Sequence, residues 1–125
     1  CARRGIKIMG INYGHIGFLA EFEQEKLDDA IDLLCSGNYL TQKRSMLDVE
    51  ICGKHYLALN DFVVQRSTYG RKFSNTICLS ATIDGSLVDN YMSDGIIVST
   101  PTGSTAYSLA AGGSVLTPDI EAFLL

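Results

Sequence analysis

Tryptophan is absent from this chain of 125 residues, and proline and histidine occur only 2 times each. No apolar run approaches the roughly 18–20 residues that cross a bilayer as a helix. No charged-then-apolar leader precedes a small-residue cleavage site. A soluble, cytoplasmic protein with no membrane partner is therefore expected. Lys and Arg number 10 against 14 Asp and Glu, a formal net charge of -4. Without a basic excess there is little to neutralise a phosphate backbone, so no nucleic-acid partner is expected. The cysteines Cys1, Cys35, Cys52 and Cys78 form no Cys-x-x-Cys pair, and His15 and His55 stand alone. Nothing in that set has metal-ligand spacing, and no metal is assigned to it. Cys52 and Cys78 fall in apolar, strand-like stretches and are expected as buried reduced thiols. No Ser/His/Asp arrangement, acid–base pair, internal repeat or low-complexity linker is seen. An initial Met is missing too, and the chain closes inside an apolar run, Phe123-Leu124-Leu125. Natural ends are usually polar, so a piece of a longer protein is expected.

What is present suffices for a folded core. Hydrophobic residues make up 46% of the chain and charged ones 19%, a balance that excludes disorder and, at this length, fits one domain. Gly5 to Ile11 reads as a short buried strand through Ile6, Ile8 and Ile11, ending in the turn-like Asn12-Tyr13-Gly14. Leu27, Ala30, Ile31, Leu34 and Cys35 recur at the spacing of one helix face. Gly37 is placed to end that helix in the left-handed conformation. The cluster Glu21, Glu23, Glu25, Asp28, Asp29 and Asp32 reads as its solvated face and first turn. There the helix dipole favours each acidic side chain by about 0.3–1 kcal/mol. From Tyr39 the period changes to two. Leu47, Val49 and Ile51 alternate with Met46, Asp48, Glu50 and Cys52 as a half-buried strand. Gly53-Lys54 reads as a turn, and His55 to Gln65 as one returning strand. Ile77–Ile83 and Leu87–Met92 meet through Asp84-Gly85, a strong hairpin signal. Ser93-Asp94-Gly95 then turns into Ile96 to Ser99. One strand and one helix ahead of antiparallel strands predict an α+β, mainly β class, an antiparallel β-sandwich rather than a doubly wound sheet.

The chemistry concentrates in a few segments. Ser99-Thr100-Pro101-Thr102-Gly103-Ser104-Thr105-Ala106-Tyr107 follows a strand directly and leads into small residues, Ser108 to Gly113. Backbone N–H groups, hydroxyls and one ring suit a flat polar ligand such as a nucleotide. An ordinary Ser/Thr loop before a short helix has the same composition. Asn60-Asp61 interrupts an apolar strand. Left unpaired and buried, each group would cost about 1–3 kcal/mol. A strand bulge or edge turn satisfies that demand. So does a ligand, since Asn offers a donor and an acceptor to a base edge and Asp accepts from ribose hydroxyls. Phe18, after the glycines of Gly14-His15-Ile16-Gly17, is either core or a ring presented to a ligand. Asp94 suits a turn for local reasons. Arg71 and Lys72 suit a solvated loop or a phosphate.

Taken together these segments resemble the NAD kinase family in order and approximate spacing. The resemblance runs through Gly10-Ile11-Asn12-Tyr13-Gly14-His15-Ile16-Gly17-Phe18-Leu19 and Leu59-Asn60-Asp61. It continues in Asp94-Gly95, Ser99 to Ser108 and Ala111-Gly112-Gly113. It implies an α/β nucleotide domain of which residues 1–37 are a strand–helix remnant, followed by a β-sandwich NAD-binding domain, 38–125. It implies transfer of the γ-phosphate of ATP, or of phosphate from polyphosphate, to the 2′-hydroxyl of the adenosine ribose of NAD, giving NADP. Mg²⁺ or another divalent cation would accompany ATP, and the enzyme would be a homodimer or homotetramer. By position, Asn60, Thr105 and Ala106 would contact adenine with Tyr107 beside it. Asp61 would reach ribose hydroxyls, and Phe18 would line the adenosine pocket. Asp94 would meet the nicotinamide end, from a neighbouring subunit, and Arg71 would lie near the NAD phosphates. Ala110 stands at a further binding position where Ser is often found. Asp61 stands where Glu is usual, and Leu19 follows Phe18 where some members have Tyr. The family's Gly-Gly-Asp-Gly motif, with its catalytic Asp, is missing from the chain and would fall upstream of Cys1; the last sandwich strands would fall beyond Leu125. No catalytic residue is therefore assigned here, and the chain alone is expected to be inactive. Two other functions stay open: a non-catalytic dinucleotide-binding or oligomerisation module, and a lipid kinase relative of the same architecture.

Overall fold

Residues 4–14, 19–67 and 76–125 are described by a computed structural model, and the chain divides into two units, Cys1–Gln42 and Lys43–Leu125. In the first unit, strand β1 (Ile11–Asn12) pairs in parallel with β2 (Phe22–Glu23). The expected strand from Gly5 is thus only two residues long. Ile6 and Ile8 are 52% and 76% exposed rather than buried, because no ladder continues upstream of Ile11 among the described residues. Helix α1 (Leu27–Ser36) forms where the periodicity places it, with Asp28 and Asp29 in its first turn. It ends at Gly37, whose φ of 72° is left-handed and whose N–H donates to Leu34 O at 3.3 Å. Its stripe is correct in period, but only Ala30 is buried; Leu27, Ile31, Leu34 and Cys35 are exposed.

The second unit is built from antiparallel pairs. Strand β3 (Leu47–Ile51) pairs with β4 (Lys54–Ala58) through the register Leu47↔Ala58 to Ile51↔Lys54. The turn is Cys52-Gly53, one residue earlier than expected. Both residues have positive φ, 51° and 73°, which matches the right-handed twist of the flanking strands. Cys52 therefore sits exposed at a turn tip, not buried. Cys78 is exposed as well, because alternation on β6 (Ile77–Ile83) gives the more covered positions to Ile77, Leu79 and Ala81. The single strand expected from His55 to Gln65 is two. It breaks at Leu59-Asn60, and β5 (Asp61–Gln65) leaves β4 to pair with β8 (Gly95–Ser99), register Asp61↔Ser99 to Gln65↔Gly95. Strand β6 and β7 (Ser86–Ser93) form the hairpin expected around Asp84-Gly85, with φ of 50° and 80°. After β8 come a 3-10 turn, Thr102–Thr105, and a one-turn helix α2 (Tyr107–Ala110). No helix among the described residues is long and apolar enough to cross a membrane.

Candidate functional site

Strand β8 runs into the hydroxyl-rich stretch, and most of those hydroxyls point inward. Ser99, Thr100 and Ser104 are 0% exposed. Thr100 Oγ1 donates to Leu59 O at 2.5 Å and accepts from Gly103 N–H at 3.0 Å. Ser104 Oγ donates to Pro101 O at 2.6 Å and accepts from Leu116 N–H at 2.9 Å. Ser99 Oγ donates to Thr100 O at 3.0 Å. Its backbone exchanges two 2.9 Å bonds with Leu124. These side chains satisfy buried backbone groups that would otherwise be unpaired. They are fastenings, which corrects the view of this stretch as a row of hydroxyls offered to a ligand.

What they fasten is Asn60. Thr100 N–H donates to Asn60 O at 2.8 Å, and Thr100 Oγ1 holds the preceding carbonyl. Gly103 lies so close to the Asn60 backbone that a Cβ there would overlap Asn60 O, C and Cα. The break between β4 and β5 is thus seated on the Thr102–Thr105 turn. That fixes Asn60 and the adjoining Asp61 against Gly103 and Thr100, in the stretch that continues through Thr105, Ala106 and Tyr107. Asn60 is exposed, Asp61, Thr105 and Ala106 are half-buried, and the Tyr107 ring is 51% exposed. Ala110 is exposed at the end of α2. Phe18 and Arg71 lie outside the described residues.

A second grouping surrounds Asp94. It lies between β7 and β8 and pairs with Arg66, whose Nε donates to Asp94 Oδ1 at 3.0 Å and whose N–H donates to Asp94 O at 2.9 Å. Both line a concavity of about 480 Å³ that also takes in Gln65, Ser93, Gly95 and Tyr107. Arg66 and Arg44 are site-adjacent residues that the sequence did not single out. Arg44 Nη1 donates to Thr102 Oγ1 at 3.3 Å across 58 positions. Neither has a local signal, since each is placed only by tertiary structure. Among the described residues no three His, Cys, Asp or Glu side chains come together as an ion site.

Known proteins similar to this chain are NAD kinases and an NADH kinase. The family model described as the ATP-NAD kinase C-terminal domain matches residues 59–125. Over its whole length the chain is 38% identical to an NAD kinase of Caldanaerobacter subterraneus subsp. tengcongensis, covering 44% of that protein. Over 94% of its length it is 43% identical to one of Chlorobium phaeobacteroides, covering 41%. The chain therefore spans less than half the length of these curated relatives. Yeast NADH kinase complexed with NADH superposes with a TM-score of 0.74 at 28% identity, over 90% of this chain and 32% of that one. An Archaeoglobus fulgidus NAD kinase in complex with ATP gives 0.73 at 30%, over 92% and 44%. The α+β, mainly β class expected from the strand run is the class these kinases share with it. Because the family match runs from Leu59 to the last residue, more than half of the chain, membership follows: this chain belongs to the NAD kinase family.

Proposed function

We propose that the protein containing this chain phosphorylates the 2′-hydroxyl of the adenosine ribose of NAD, from ATP or polyphosphate, and that this chain supplies the NAD-positioning half. The observation that carries the reading is the seating of Asn60 on Gly103 and Thr100. What supports the reading is that Asn60 is held there yet exposed, with Asp61 beside it in the chain, and that Tyr107 is exposed too. Asn60 pairs with the adenine edge together with Thr105 and Ala106, and Tyr107 packs beside the base. Asp61 accepts from ribose hydroxyls. Asp94 faces the nicotinamide end, across a subunit boundary in a homodimer or homotetramer. Phe18, Arg71 and Ala110 complete the contacts by position in the family.

Phosphoryl transfer depends chiefly on positioning and charge neutralisation. This chain's part is the first: holding the acceptor ribose still. Its own residues take no proton transfer; in the family reading that role is the Asp of Gly-Gly-Asp-Gly, a motif absent from residues 1–125. Mg²⁺ would enter with ATP and neutralise phosphate charge. The described residues provide no cluster of ligands for it, and no step is assigned to it here.

The test is NADP formation by the full-length protein, with Asn60→Ala and Tyr107→Ala each expected to raise KM for NAD about tenfold, the first through a lost polar contact and the second through lost ring packing. The isolated chain should form no NADP. NAD binding by the full-length protein without phosphorylation would favour the non-catalytic module instead, and phosphorylation of a sphingoid base in place of NAD would favour the lipid kinase relative.

A further inference from the structure

Resting on that reading, we propose that Arg66 sets the charge met by the nicotinamide end, and with it the protein's choice between oxidised and reduced dinucleotide. The register Gln65↔Gly95 leaves Arg66 opposite Asp94. Two bonds fix the pair, a charge-assisted one from Nε to Oδ1 at 3.0 Å and a backbone one at 2.9 Å. Gly95 makes this approach possible, since a Cβ there would overlap Val64 O and press on Gln65 at 3.0 Å. The Asp94 side chain is 76% exposed against 40% for Arg66, so the carboxylate is the more open of the two to a ligand.

The oxidised nicotinamide ring carries one positive charge, and the dihydro form carries none. Their shapes are nearly the same, so a site tells them apart mainly by its net charge. A lone Asp94 carboxylate would favour the cation. Paired with the Arg66 guanidinium it sums to near zero, so the two forms are received with little discrimination. Arg66 is a positioning residue that acts through Asp94. One unit charge acting over about 6 Å through a solvent-like medium corresponds to about a threefold change in preference.

The experiment measures kcat/KM of the full-length protein for NAD⁺ and for NADH and follows their ratio, in which general losses of activity cancel. Arg66→Gln should raise the NAD⁺/NADH ratio about threefold, and Asp94→Asn should lower it by a similar factor. The double variant should return to the parental ratio, and Arg66→Lys should leave it unchanged. All shifts should shrink between about 20 and about 500 mM salt. Ratios that stay constant in both single variants, or move in the same direction, would overturn the proposal. Calorimetric Kd values for the two dinucleotides give the same ratio without turnover. Failure of the kinase reading (binding with no NADP formed) is thus distinguishable from failure of the charge argument.

Discussion

Gly103 has no room for a side chain, and that one fact orders the candidate site. Gly103→Ala would drive a methyl group into the Asn60 backbone, which must then move or carry strain of about 1–3 kcal/mol. The full-length variant should show a lowered unfolding midpoint and weaker NAD binding together, measured by thermal denaturation and calorimetry. A stability loss with unchanged affinity would separate Gly103 from the site. Thr100→Val should cost about 1–3 kcal/mol, because Leu59 O and Gly103 N–H both lose their buried partner. Thr100→Ser, which keeps the hydroxyl, should cost clearly less in the same denaturant titration. The sequence showed that Ser99 to Tyr107 is mostly polar and small. It could not show which hydroxyls turn inward. Burial of Thr100 and Ser104 is decided by the carbonyls of Leu59 and Pro101 and the N–H of Leu116, residues that carry no polar side chain to announce it.

Among the elements, hairpins were legible and strand exchange was not. Asp84-Gly85 has a local mechanism, two residues willing to take positive φ, so the β6–β7 hairpin followed from the sequence alone. Gly85→Ala, at a φ of 80°, should destabilise the protein by about 1 kcal/mol. The same logic makes an opposite prediction for the other turn. Cys52 holds a φ of 51° without being Gly, Asn or Asp, so Cys52→Asn should stabilise by about 0.5 kcal/mol. A lowered midpoint for Cys52→Asn would mean that the thiol makes contacts the turn geometry does not explain. The break at Leu59-Asn60 was hidden for a different reason. Asn60-Asp61 interrupts the apolar run, but it reads equally as a bulge, an edge turn or a ligand site, and nothing local records that the pairing partner changes from β3 to β8. Pairing partners are chosen by distant chain, so periodicity carries no trace of the switch.

For the whole molecule, fold class was readable and burial was not, because class depends on element order while burial depends on what packs against each face. Among the described residues the buried hydrophobic side chains are Ala30 and Leu47, at 0% and 7% exposure. Ile8, Leu40 and Met92 are 76%, 100% and 74% exposed. Each described sheet has two strands, so every strand in it is an edge with unpaired backbone groups on one side. Covering one Leu or Ile side chain is worth about 1.5–3 kcal/mol, while association costs about 4–15 kcal/mol in lost freedom. Burying a handful of these side chains therefore suffices to drive association. The isolated chain, which spans 44% of a relative's length, is expected to sediment as concentration-dependent oligomers and to bind a hydrophobic dye. The full-length protein at equal concentration should bind less dye per residue and sediment as a discrete species. A dispersed, dye-free monomer of the isolated chain would mean that its apolar faces close on one another, and the two units would then have to be treated as a self-sufficient fold.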